Sequence, residues 1–258
     1  MGTYEGIVEL WKKWNVSTPA DIDLRLDSFR ILFAYNSGKI ENDEITYNDT
    51  REIFKNGQVL NYSGSPRAIF ETQNQRLCYE FLKPKLAARE PLSVQLIKNI
   101  HEVLTSGTYD ERRYIAQGER PGEFKKHDYV TGIAEVGSPP EDVENDIGEL
   151  INEIINFKGT ETLRAATYLH ARFEHIHPFA DGNGRAGRTL MNYFLMLHNH
   201  PPIIIYDEDK HSYYDALASY DMQEEIAPLS DFLKTQTEKT WDKAFERERR
   251  RKCDHTES

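Results

Sequence analysis

The run His177-Pro-Phe-Ala-Asp181-Gly-Asn-Gly-Arg185-Ala-Gly-Arg188 separates two stretches of helical periodicity. Ala166, Leu169 and Phe173 recur at three- and four-residue spacing before it, and Leu190, Tyr193, Phe194 and Leu197 do the same after it. The region therefore reads as helix, short loop, helix. Two glycines around an asparagine, just ahead of the second helix, free the backbone to aim its N–H groups at one point. The helix N-terminus adds partial positive charge there, which makes Gly182, Asn183 and Gly184 a candidate anion nest. Arg185 and Arg188 lie three apart on the first turn of that helix and can both reach such an anion. Their planar forks suit phosphate oxygens, so the implied ligand carries several phosphates. Asp181 stands directly before the nest, and a lone carboxylate beside phosphates is a common anchor for Mg2+. His177 is four residues earlier and suits a general base near neutral pH. One loop thus offers what an in-line attack of a hydroxyl on a nucleotide phosphate needs.

The rest of the chain reads as all-α, mainly helical. Thr18-Pro19-Ala20-Asp21 is a helix start, and Ile22, Leu26, Phe29 and Phe33 give that helix one apolar face. The pattern stops near Asn36-Ser37-Gly38, and residues 39–48 read as polar and turn-like. A run free of helix breakers extends from Ala68 to Phe81. Ser93 is placed to cap a helix carrying Val94, Ile97, Ile100 and Leu104. Ile147, Leu150, Ile151, Ile154 and Ile155 form one helical face, and Leu229, Phe232, Leu233, Trp241 and Phe245 give a long terminal helix. Extended structure is scarce: Tyr129 to Val136 fits a short hairpin, and Pro201 to Tyr206 an apolar extended piece. Residues 42–66 are the weakest region, which suggests an N-terminal helical part over 1–64 and a second unit over 65–258.

The chain has 258 residues and a net charge of −11, a balance that opposes non-specific nucleic-acid binding. The basic run from Arg247 to Lys252 reads as a solvated helix end. No stretch approaches a membrane span, and the N-terminus lacks the charge and apolar pattern of a signal peptide. Cys78 and Cys253 suggest no disulfide framework, so the expected compartment is a reducing cytoplasm.

The segment from His177 to Arg188 resembles the signature of the Fic (Fic/Doc) family, His-Pro-Phe-x-Asp/Glu-Gly-Asn-Gly-Arg-x-x-Arg, at every specified position. His101 to Gly107, Ser138-Pro139-Pro140 and Lys210 to Leu217 resemble the segments around that signature, and the likeness spans roughly residues 65–245. It implies a Fic-like helical bundle with a small β-hairpin flap. It further implies a protein adenylyltransferase that moves AMP from ATP, its substrate, to a tyrosine, threonine or serine hydroxyl on a protein target, and to itself. On this resemblance His177 is the base and Asp181 holds Mg2+. The nucleotide-binding stretch runs through Gly182, Asn183, Gly184, Arg185, Ala186, Gly187 and Arg188. Tyr213 falls near the adenine, whereas Asp221 stands where the family often has asparagine. Ile133, Ala134, Glu135, Val136 and Gly137 form a flap that docks the target by strand addition. Lysine in place of the second glycine marks a phosphorylating variant, so Gly184 favours AMP transfer.

Ser37-Gly-Lys-Ile-Glu41-Asn42 resembles a second family signature, Ser/Thr-x-x-x-Glu-Gly/Asn, found in the subgroup with an N-terminal inhibitory helix. The implied device is electrostatic: Glu41 pairs with Arg188 in bidentate fashion and denies it to the γ-phosphate. In some similar proteins this glutamate supports AMP removal, which leaves a reversible enzyme open, and a homodimer is compatible with either. Two other readings stand beside these. His170, His175, His177 and Asp181 could ligate zinc or iron in a metal-dependent hydrolase, or the nest could serve a non-catalytic nucleotide sensor.

Overall fold

The structure, a computed structural model, describes residues 2–41, 44–59, 62–129, 137–158 and 160–256, with side chains to residue 251. No strand occurs among the described residues. The helices are α1 (Tyr4–Trp14), α2 (Pro19–Glu41), α3 (Tyr47–Asn56), α4 (Pro66–Ala87), α5 (Val94–Thr105), α6 (Val143–Ile155), α7 (Thr162–Ile176), α8 (Asn183–Leu197), α9 (Lys210–Gln223) and α10 (Ala227–Thr256).

Local chemistry sets their starts. Thr18 Oγ1 accepts from the Asp21 backbone N–H, and Asp21 answers by accepting from the Thr18 N–H. Ser65 caps α4 ahead of Pro66, and Ser93 Oγ accepts from the Leu96 N–H to cap α5. Thr46 and Asp49 close a capping box at α3.

The core lies where α5, α6, α7 and α8 meet. Ile97, Ile100, Ile147, Ala166, Leu169, Phe173 and Leu190 are fully excluded from solvent there. Burying each large apolar side chain contributes about 1.5–3 kcal/mol, so this cluster fixes the mutual placement of α7 and α8. A second cluster joins α1, α2 and α10 through Trp11, Ile22, Leu26 and Trp241. Trp11 meets Trp241 edge-on at 5.2 Å. These contacts lay α2 along α4 and bring its C-terminal end to α8.

Two expectations need correction. Helix α2 does not stop at Asn36 but runs to Glu41, because the polar residues that break the pattern have tertiary partners. Asn36 Nδ2 donates to the Leu32 carbonyl while its Oδ1 accepts from the Asp207 N–H, and Ser37 is buried at 2 % exposure. Residues 47–56 are helical rather than a loose joint, held by buried Ile53 and Phe54. The apolar piece at 201–206 lies outside the helices as an extended piece would, and its N–H groups go to side chains, Ile203 to Asn192, Ile204 to Thr240 and Tyr206 to Gln236. Of the expected hairpin and flap, residues 130–136 lie outside the described residues. Gly137 is described. Its φ of +67° is left-handed, and a Cβ there would sit 2.6 Å from the Ile176 carbonyl and 2.7 Å from His177 Cβ, so only glycine fits.

Candidate active site

The loop between α7 and α8 is held from several sides. Asn183 Oδ1 accepts from the Phe179 N–H at 2.9 Å, and Asn183 Nδ2 donates to the Phe179 carbonyl at 2.7 Å. The Phe179 ring is buried and stacks on His101 with centroids 3.6 Å apart. His101 Nδ1 accepts from the Gly122 N–H at 3.0 Å, which leaves Nε2–H to donate to the Asp181 carbonyl at 2.8 Å. Burial pushes the His101 imidazole down to about 3, so it remains a neutral, single-tautomer brace. The sequence reading assigned His101 no role; the clue it offered was a histidine on an otherwise apolar face of α5.

His177 ends α7 with φ 50°, a left-handed conformation that a non-glycine residue adopts at a cost of about 1–2 kcal/mol. This left-handed residue ends the helix, its N–H still donating to the Phe173 carbonyl. Burial, followed by the Lys125 ammonium, lowers its pKa to about 4, while the Glu174 backbone acts in the opposite direction. The ring is therefore neutral at physiological pH, the state a proton acceptor requires.

Gly182 is the N-cap of α8, with φ 77° and no side-chain cap bond. The first N–H groups of α8 are thus left for a ligand. Asp181 Oδ1 accepts from the Gly182 N–H at 2.8 Å, and Oδ2 accepts from Arg67 Nη2 at 2.6 Å. Burial raises the Asp181 pKa, but Arg185, Arg67 and Arg113 outweigh it and hold the group below the usual carboxylate range.

The two arginines of the motif have different partners. Arg185 Nη1 lies 3.1 Å from Glu71 Oε1 and its Nη2 is 3.9 Å from Asp181 Oδ1. Arg188, 2 % exposed, turns to α2: Nε donates to Ser37 Oγ at 3.0 Å, and Nη2 donates to the Ser37 carbonyl at 2.9 Å and to Glu41 Oε1 at 2.7 Å. Burial works against the guanidinium charge, and Glu41 more than offsets it. The expected bidentate pair is therefore a shared one, because Ser37 takes part of the fork. A Cβ on Gly184 would sit 2.4 Å from Glu41 Oε1 and 2.9 Å from Arg188 Nη1. The Glu41 carboxylate accordingly rests over the glycine of the nest.

Three other expected nucleotide contacts face inward. Ala186 is fully buried, and Gly187 faces α7, where a Cβ would lie 2.3 Å from Glu174 Oε1. Tyr213 is 1 % exposed, and its hydroxyl meets His170 Nε2 at 2.7 Å. It is packed beneath Arg188, and its neighbour Tyr214 is the exposed member of the pair. Glu174 is a residue the sequence reading missed. Burial raises its carboxyl to about 8 against the pull of Arg188, so it is mostly neutral near pH 7. Among the described residues no three of His, Cys, Asp or Glu gather as a metal cluster. His170 is engaged by Tyr213, and His175 by Asp221 at 2.9 Å.

The loop between α7 and α8 thus brings His177, the ionised Asp181 and an N-terminus of α8 without a side-chain cap together in one helical bundle. Residues 91–195 match the model of the Fic/DOC family, and the chain carries a domain of that family. Protein adenylyltransferase Fic of Drosophila yakuba is 28 % identical over 217 residues, covering 81 % of this chain and 40 % of the relative. The Aedes aegypti protein of the same name is 34 % identical over 128 residues, 47 % of this chain and 24 % of its own length. The chain thus spans about two-fifths or less of the length of these curated relatives. Among solved structures, a Fic-domain-containing signaling protein from Bacteroides thetaiotaomicron superposes with TM-score 0.81 at 23 % identity, covering 94 % of this chain and 95 % of that one. Caenorhabditis elegans Fic-1 gives TM-score 0.76 at 22 % identity, covering 93 % and 70 %. Both likenesses bear on the fold. Among the described residues no helix is long and apolar enough to cross a membrane.

Proposed function

We propose that this chain is a protein adenylyltransferase that moves AMP from ATP to a tyrosine, threonine or serine hydroxyl of a protein, itself included, and that Glu41 restrains it. The observation that carries the reading is the neutral His177 placed beside the uncapped N-terminus of α8. His177 takes the proton of the target hydroxyl. The freed oxygen bonds to the α-phosphorus, the bond to the bridging oxygen breaks, and pyrophosphate leaves. The N–H groups of Asn183 and Gly184, at the start of α8, receive the phosphate oxygens. Arg188, once free of Glu41, binds the terminal phosphate and so sets the α-phosphate in line.

The Asp181 carboxylate is ionised and borders the nest, a donor that fits Mg2+ sharing its shell with water and phosphate. When bound there, the ion would offset phosphate charge. Restraint follows from the position of Glu41, because one carboxylate both engages Arg188 and covers Gly184.

The test uses the Glu41→Gly protein with ATP labelled at the α- or the γ-phosphate, alone and in a cell lysate. Label from the α-position appearing on protein is the expected result. Transfer of the γ-label alone would mean phosphorylation, and nucleotide binding without transfer of either would leave a sensor. His177→Ala removes transfer while nucleotide binding persists.

A further inference from the structure

Arg67 occupies an unfavourable place. It lies in the first turn of α4, directly after Pro66, and that turn contains no acidic residue. A cation there opposes the helix dipole by about 0.3–1 kcal/mol. Two carboxylates compensate it. Arg67 Nε donates to Glu71 Oε1 at 2.8 Å within α4, and Nη2 donates to Asp181 Oδ2 at 2.6 Å across 114 positions of sequence. Asp181 Oδ1 is already engaged by the Gly182 N–H, so Oδ2 is the oxygen left to face a cation, and Arg67 covers it. The side chain of Arg67 is 40 % exposed whereas that of Asp181 is 19 % exposed, so the arginine stands on the solvent side of the carboxylate. Glu71 keeps hold of Nε, which lets the guanidinium swing off Asp181 without losing every partner.

We propose that Arg67 competes with the divalent cation for Asp181 and thereby lowers the affinity of the site for metal-bound nucleotide. The inference rests on the reading that Asp181 holds the cation. In the free protein the guanidinium neutralises the carboxylate and keeps the loop in register. When metal and nucleotide enter, the Arg67 to Asp181 bond must break while the bond to Glu71 remains. The competition is graded, because a half-exposed ion pair is worth only about 1 kcal/mol.

The experiment measures the affinity of ADP by calorimetry on the whole 258-residue chain, with and without Mg2+. ADP lacks the γ-phosphate that Arg188 would hold, and the cover of Glu41 over Gly184 is common to every variant and cancels in the ratio. The quantity read is the ratio of the two affinities, the gain due to Mg2+. In Arg67→Gln that gain is expected to rise about three- to tenfold over wild type, the factor that roughly 1 kcal/mol supplies. Arg67→Lys, which keeps the charge and loses the fork, falls between. A gain unchanged or reduced in Arg67→Gln overturns the competition. Asp181→Asn is the separate control: its gain should vanish, and a gain that survives there refutes Asp181 as the metal anchor instead. Thermal unfolding of each variant shows that the fold is intact, as the exposed position of Arg67 leads one to expect.

Discussion

Glu41 and Arg188 meet across 147 positions of sequence, with Arg188 Nη2 donating to Glu41 Oε1 at 2.7 Å. That oxygen also lies where any side chain on Gly184 would have to go. The last residue of α2 therefore bears on both the arginine and the nest. Glu41→Gly removes both obstructions and should raise AMP transfer on the order of 100-fold, the scale on which small misplacements of reacting groups act. Initial rates with α-labelled ATP, compared at equal protein concentration, check it. Rates equal to wild type would leave the contact a structural pairing only.

His177 should show no titration in the neutral range. Burial holds its imidazole near 4, well below the ordinary histidine value, with Lys125 adding to the effect. The groups that act on it electrostatically are Lys125, Glu41 and Asp181, the two carboxylates pulling upward and the ammonium downward. NMR of the ring resonance that disappears in His177→Ala provides the measurement. The signal is expected to stay in place from pH 8 to about 5, and a midpoint near the ordinary value of about 6.5 would contradict a buried neutral base.

The loop and its flanking helices were legible because their signals are local. Glycine spacing, arginine spacing and apolar periodicity around residue 182 all operate within two turns of helix. The C-terminal half of α2 was not, because Asn36 and Ser37 look like solvent-facing turn residues until Asp207 and Arg188 are brought to them. The burial of Tyr213 is hidden for a related reason: sequence distance from the motif does not reveal that the ring lies beneath Arg188 and on His170. Arg67 and Glu174 carried no motif at all. Their roles arise from helix packing, α4 against the loop and α7 against α8, which periodicity predicts in kind but not in register.

Gly187 and Glu174 should behave as a coupled pair. A methyl group at 187 would stand 2.3 Å from Glu174 Oε1 and 3.1 Å from the Phe173 ring. Gly187→Ala gains helix propensity worth about 1 kcal/mol, yet overpacking at the α7 and α8 contact should outweigh it and destabilise by about 1–3 kcal/mol. Glu174→Ala opens the space, so the double variant should recover much of that loss. Denaturant midpoints across the four proteins of the cycle give the coupling, and strictly additive effects would show that the carboxylate is not what excludes a side chain at 187.

Acid should weaken the fold well before the carboxylates titrate. Burial depresses His101 and His170 to about 3 and His177 and His200 to about 4. For such groups the unfolded chain takes up protons near pH 6.5 while the folded one does not. Their contribution is thus complete above that pH and is lost as pH falls toward the folded values. Glu174 has the opposite sign. Its folded pKa of about 8 lies above the unfolded one, so its contribution is full in acid and is lost as pH rises through 8. Between pH 7 and 5 four histidines oppose one glutamate, and stability should fall with pH, each fully buried histidine accounting for on the order of 1–2 kcal/mol by pH 5. Urea unfolding across that range measures the slope. Glu174→Gln removes the opposing group and should steepen the decline; an unchanged slope in that variant would mean that the Glu174 carboxyl is ionised in the folded protein.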